Sequence, residues 1–95
     1  MNKKLRAYEE ISAELINNNV SFNVSCNDSL YIITDKATLT IQKTGACILK
    51  TNSSNAKAIL DENKFSSTRV IWTGEVVSNY SFKNINKIAD DIMNI

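Results

Sequence analysis

Ninety-five residues, 43% of them apolar and 22% charged, describe a single globular domain spanning 1–95; the composition excludes a disordered tail and the length excludes two cores. Eleven Lys and Arg against ten Asp and Glu leave a net charge of +1, which exerts no strong pull toward nucleic acid or an anionic membrane. No apolar run approaches the roughly 18 residues of a membrane span, and the start Met1-Asn2-Lys3-Lys4-Leu5-Arg6 turns polar again at Glu9-Glu10, unlike a signal peptide, so a cytoplasmic protein without membrane contact is expected.

Lys3 to Asn17 reads as an amphipathic helix whose apolar stripe is Leu5, Tyr8, Ile11, Leu15 and Ile16. Its opening charges, Lys3, Lys4 and Arg6, oppose the helix dipole, so packing rather than capping is expected to hold it. Asn17-Asn18-Asn19 ends it, because Asn tolerates left-handed backbone. Val20, Phe22, Val24 and Cys26 then alternate with Ser21, Asn23 and Ser25, the period of a half-buried strand. After a turn at Asn27-Asp28-Ser29, Leu30 to Thr34 is apolar on both faces; after Asp35-Lys36, Thr38 to Gln42 alternates again; Thr44-Gly45 leads into Ala46 to Thr51. These segments predict a four-stranded antiparallel meander. The register of its last hairpin stays open. A two-residue Thr44-Gly45 turn pairs Ile41 with Ile48, a three-residue turn ending at Ala46 pairs Ile41 with Leu49, and the slip exchanges the faces of the fourth strand.

Asn52-Ser53-Ser54 offers a serine cap for a helix from Asn55 to Asp61 or Glu62, with Ala56, Ile59 and Leu60 inward and Asn63-Lys64 as its stop. A strand over Thr68 to Thr73, a tight turn at Gly74-Glu75 and a strand over Val76 to Tyr80 follow. Ser81 then caps a last helix with Phe82, Ile85, Ile88, Ala89 and Ile92 along one side. The order α-ββββ-α-ββ-α predicts an α+β domain: a six-stranded antiparallel sheet with the helices packed on one face.

The chemistry of catalysis is sparse. Without His the chain lacks the commonest general base, nucleophile partner and metal ligand. Two Cys do not make a zinc site, and two Gly do not make a phosphate loop. Adjacent acids at Asp61-Glu62 and Asp90-Asp91 diverge on a helix, and Glu10 with Glu14 reads as solvated helix charge. No enzyme, cofactor or metal is expected. Cys26 and Cys47, both in predicted strands, are expected to be reduced and buried.

The remaining signal is a surface. Lys36, Lys43, Lys50, Lys57 and Lys64 recur every seven residues, but across strands and a helix, so the spacing is not a heptad. Glu9, Glu10, Glu14, Asp90 and Asp91 fall on the outer helices, which predicts an acidic helical side and a mildly basic sheet face. Ser21, Asn23, Ser25, Thr38, Thr40 and Gln42 make that face polar, joined by Tyr31, Arg69 and one of Ile71 or Trp72. The candidate binding residues are Tyr31, Lys36, Lys43, Lys50, Arg69 and Trp72. A lone Trp belongs to a core more often than to a binding surface, so Trp72 carries both expectations.

From Tyr8 to Asn94 the succession of helix, two hairpins, helix, hairpin and helix resembles the MotA-type double-wing DNA-binding domains of T-even phages, with the hairpin turns at Asn27-Asp28-Ser29, Thr44-Gly45 and Gly74-Glu75. That resemblance implies a saddle-like sheet in contact with DNA. Thirteen Asn, twelve Ile and nine Lys with no Pro indicate an AT-rich coding sequence, as in many bacteria and their phages. The leading expectation is a small phage- or mobile-element-encoded binding protein that inhibits a host defence or transcription complex stoichiometrically, in the manner of an anti-CRISPR. The alternatives are a nucleic-acid-binding transcription regulator using the open sheet face, and a homodimeric structural subunit pairing through an exposed sheet edge or the apolar Tyr31–Ile33 strand; the chain is expected as a monomer or a homodimer.

Overall fold

The structure, a computed structural model, describes residues 2–62 and 66–95. Helix α1 spans Lys3–Asn17, and β1 (Asn23–Cys26), β2 (Leu30–Ile33), β3 (Ala37–Ile41) and β4 (Cys47–Thr51) follow as a meander. Helix α2 (Ala56–Asp61), β5 (Ser66–Val70), β6 (Val76–Tyr80), a 3-10 segment over Phe82–Lys87 and α3 (Ile88–Asn94) complete the chain. The strands form one antiparallel sheet in the order β1-β2-β3-β4-β6-β5, so β6 inserts beside β4 and leaves β5 at the edge. The expected α+β class, element order and single helical layer are all present.

The core lies between that layer and the inner sheet face. Leu30, Ile32, Leu39, Ile41, Cys47, Leu49, Val76 and Tyr80 meet Ala7, Ile11, Leu15, Leu60, Ile88 and Ile92 there. Burying each large aliphatic side chain contributes roughly 1.5–3 kcal/mol. On α1 the buried seam is Ala7, Ile11 and Leu15; Leu5 and Ile16, expected in the stripe, flank it and are more than half exposed. Capping also contributes at this helix, contrary to expectation, because Asn2 Oδ1 accepts the Leu5 N–H at 3.3 Å. Asn19 takes the left-handed conformation (φ +59°) that the Asn run foretold.

The two long hairpins share one loop. Gln42 N–H donates to Ala46 C=O and Gly45 N–H to Gln42 C=O, both at 2.9 Å, around Lys43-Thr44-Gly45. Ile71 N–H donates to Glu75 C=O and Gly74 N–H to Ile71 C=O, again at 2.9 Å, around Trp72-Thr73-Gly74. Gly45 (φ +83°) and Gly74 (φ +86°) hold the left-handed third position of a three-residue hairpin loop. The consequence is a correction at both places. Ile41 pairs with Cys47, matching neither register considered, although the faces agree with the Leu49 alternative. The β5–β6 turn is not Gly74-Glu75; β5 ends at Val70, and Trp72 belongs to the loop.

Other local expectations shift for physical reasons. No serine side chain caps α2; Ala56 N–H donates to Ser53 C=O, and Ser53 Oγ bonds Asn55 Oδ1 and Ile95 C=O instead. The expected stop at Asn63-Lys64 lies outside the described residues. The last helix is divided: Asn84 (φ −115°) breaks the regular backbone, a 3-10 segment precedes α3, and Ser81 caps through its carbonyl rather than its hydroxyl. The apolar side Phe82, Ile85, Ile88, Ala89 and Ile92 packs inward as read.

Val24 and Cys26 stand on the inner face, as their alternation predicts, but β1 runs past the edge of the helical layer and both are exposed. Cys47, in contrast, is buried, and burial pushes its thiol up to about 12. In the native protein a thiol reagent at neutral pH is therefore expected to label one cysteine rapidly, Cys26, and to reach Cys47 only on addition of denaturant. Two equally fast thiols in mass-spectrometric labelling would contradict this placement.

Candidate functional site

None of the described helices lies on the outer sheet face. Two rows of side chains cross it from edge to edge. One runs Ser25, Tyr31, Thr40, Ile48, Asn79, Ser67; the other runs Asn23, Ile33, Thr38, Lys50, Val77, Arg69. Neither row contains an acid. The ten Asp and Glu lie in helices, at a helix end or in turns, and the face has only Lys50 and Arg69 as charges. The helical side is not the acidic surface expected, because Lys3, Lys4, Arg6, Lys57, Lys83 and Lys87 share it; Arg6–Glu10 (3.6 Å) and Lys57–Asp61 (2.6 Å) pair there across one helical turn.

Burial divides the face. Val77 lies in the row between Lys50 and Arg69 and is only 4% exposed, although it stands outside the main core. The aliphatic stems of its two cationic neighbours are placed to cover it while their charged heads reach water. Tyr31 and Ile48 are half-buried in the adjoining row, and Ile33 is 38% exposed at its end. Ile48 and Val77 thus make an aliphatic patch on the neighbouring strands β4 and β6, Tyr31 stands apart from it across Thr40, and hydroxyl and amide groups fill much of the remaining face.

Of the candidate residues, Lys50 and Arg69 share a row and Tyr31 lies in the next. Trp72 leads the β5–β6 loop just beyond Arg69 and is 95% exposed, so it belongs to the surface and not to the core. Ile71, the alternative for that place, closes the hairpin and is half-buried. Lys36 is not part of the group. It sits in the β2–β3 turn, and its Nζ donates to Met93 C=O of α3 at 3.4 Å, toward the helical side. Lys43 leads the β3–β4 loop at the opposite end of the sheet from Trp72. Sequence reasoning missed Val77 and Ile48. The adjacent pair Val76-Val77 was the available signal, since neighbouring apolar residues on a strand fill both faces.

Chemically reactive groups lie elsewhere. Tyr80 O–H donates to the Asp91 carboxylate, and burial first, then that bond, raises its pKa above the ordinary tyrosine range. Cys47 and Tyr80 are neutral at physiological pH and closed off in the core. Among the described residues no three His, Cys, Asp or Glu side chains converge on a metal position, and no helix is long and apolar enough to cross a membrane. A groove of about 710 Å³ lies between the Asn18–Asn23 leg, the β2–β3 turn and α3, with Val20, Phe22, Ile92 and Met93 among its walls. Among the described residues, Asp35 and Lys36 are the charged ones that line it. No protein-family model matches the chain, and comparison with curated proteins finds no relative.

Proposed function

We propose that the chain is a non-catalytic binding protein that caps a site on a larger protein complex, as a stoichiometric inhibitor or adaptor. The observation that carries this is Trp72. A side chain this apolar, 95% exposed on a short loop fixed by two backbone hydrogen bonds, is a pre-organised anchor. It stands beside a face whose Arg69, Tyr31 and Ile48–Val77 patch have the composition of a protein interface: aromatic and Arg present, Asp and Glu absent.

Pull-down of the tagged protein from bacterial lysate tests the proposal. A single protein partner that survives nuclease and high salt is expected. Trp72→Ala is expected to weaken that capture at least about thirtyfold while changing stability by no more than about 0.5 kcal/mol, as read from thermal melts. Recovery of no partner, or full capture by the Trp72→Ala protein, would sink the proposal.

One observation favours a nucleic-acid ligand as the second candidate: the two charges of the open face are both positive. This agrees with the double-wing resemblance. It calls for capture lost on raising salt and on neutralising Lys50 and Arg69, with a shallow salt dependence because only two cations share the face.

A further inference from the structure

The edge strand β1 differs from the other edge of the sheet in a way that points to what covers it. Thr34 N–H donates to Ala37 C=O at 2.9 Å, which fixes the alternation of the ladder. Leu30 and Ile32 bond toward β3, so Tyr31 and Ile33 bond toward β1, and their partners there are Ser25 and Asn23. The backbone groups of Val24 and Cys26 therefore point away from the sheet. Natural sheets protect such an edge with Lys, Pro, a bulge or a covering element. The β5 edge carries Arg69 and packs against α2. β1 is a short strand of four residues, and it carries no charged residue, no Pro and no bulge. Leu15 to Asn27 contains no charged residue, Val24 is 45% exposed, and the Cys26 side chain beside it is exposed too.

We infer that β1 pairs with β1 of a second copy of this chain about a two-fold axis normal to the sheet, joining two six-stranded sheets into one. The axis passes between the two Ser25 residues. Val24 of each copy then exchanges both backbone hydrogen bonds with Cys26 of the other, which satisfies every outward group of the strand. Charge argues for this occupant. An uncharged edge has nothing with which to select a charged segment, and against itself it meets no repulsion. The same register brings Asp28 of one copy level with Phe22 of the other, at the end of the sheet where Lys36 lies. A second copy also covers two exposed strips at once, Val24 of each against Cys26 of the other. The helical layers lie on the same side of the joined sheet, so the dimer carries two Trp72 hairpins at its outer ends and a continuous open face between them.

Sedimentation equilibrium on the full chain tests the inference. A dimer is expected. Val24→Pro removes only an outward N–H, a substitution edge strands tolerate, and should raise the dimer dissociation constant at least about thirtyfold while leaving the circular dichroism spectrum unchanged. The two Ser25 residues form a non-hydrogen-bonded pair, with Cα atoms about 4.5 Å apart, inside disulfide range. Ser25→Cys in a Cys26→Ser background should therefore crosslink to a covalent dimer on mild oxidation. A chain that stays monomeric at millimolar concentration overturns the inference, as does a dimer in which Ser25→Cys fails to crosslink. Should Val24→Pro fail to fold, the crosslink and the wild-type sedimentation decide the matter without it.

Discussion

Gly45→Ala should destabilise the protein by about 3–5 kcal/mol, whereas Gly74→Ala should cost about 1–2 kcal/mol. The two residues occupy the same place in the same loop with nearly the same positive φ, so the backbone penalty is shared. The difference lies in what a methyl group would meet. At Gly45 a Cβ would fall 2.3 Å from Cδ1 of Phe82, and at Gly74 nothing lies within 4 Å. Phe82 cannot simply retreat, because it packs on the core while Lys3 and Arg6 lie over its ring at 5.6 and 6.0 Å from the centroid. The larger penalty is a sizeable fraction of the 5–15 kcal/mol that holds a domain of this kind. Urea midpoints at constant m measure both effects. Phe82→Leu should recover part of the Gly45→Ala loss and none of the Gly74→Ala loss. Equal shifts at the two glycines would show that the Phe82 contact is not tight.

Alkaline unfolding is the second large effect expected. Cys47 is pushed from 9.0 to about 12 and Tyr80 upward from 10.0, in both cases first by burial. A raised value means that the unfolded chain releases the proton before the native one does. The contribution to stability is whole below pH 9 and falls as pH rises beyond it. Each group gives a slope of about 1.4 kcal/mol per pH unit, so the decline should steepen once Tyr80 joins Cys47 above pH 10. Urea midpoints from pH 8 to pH 12 read this directly. Cys47→Ala should abolish the decline between pH 9 and pH 10, and Tyr80→Phe should remove the steeper part above it. A flat profile to pH 12 would mean that water reaches both groups.

How far the sequence carries is visible in particular elements. The first helix was legible to its end residues because its apolar period and its Asn stop act locally. The faces of β1 and β3 were legible for the same reason, since alternation fixes which side a residue takes; β2, apolar on both sides, and β4, whose register stayed open, were not. Burial was not. Val24 and Cys26 face inward yet lie bare, because how far the helical layer extends over the sheet is a tertiary property. The two Thr-Gly loops were misread for another reason. Gly serves either place of a two-residue hairpin loop, as Thr44-Gly45 and Gly74-Glu75 were read, and the last place of a three-residue loop equally well, and only the pairing beyond it decides. That error set Trp72 on a strand and so left core and surface both open for it, where the loop decides for the surface. The acid-free face was half legible: the charges were countable, but only the register brings Lys50 and Arg69 to either side of Val77.

The strand order has a kinetic consequence. The first four strands zip together across short turns, whereas β6 reaches β4 only after an excursion through residues 52–75. The Leu49–Ser78 seam closes the most distant strand pairing in the sheet, and both residues are fully buried. Closing such a loop loses chain entropy before any contact repays it, so this step is expected to limit the rate of refolding. The same seam joins the early meander to the later hairpin, so the two are expected to open and close as one cooperative unit.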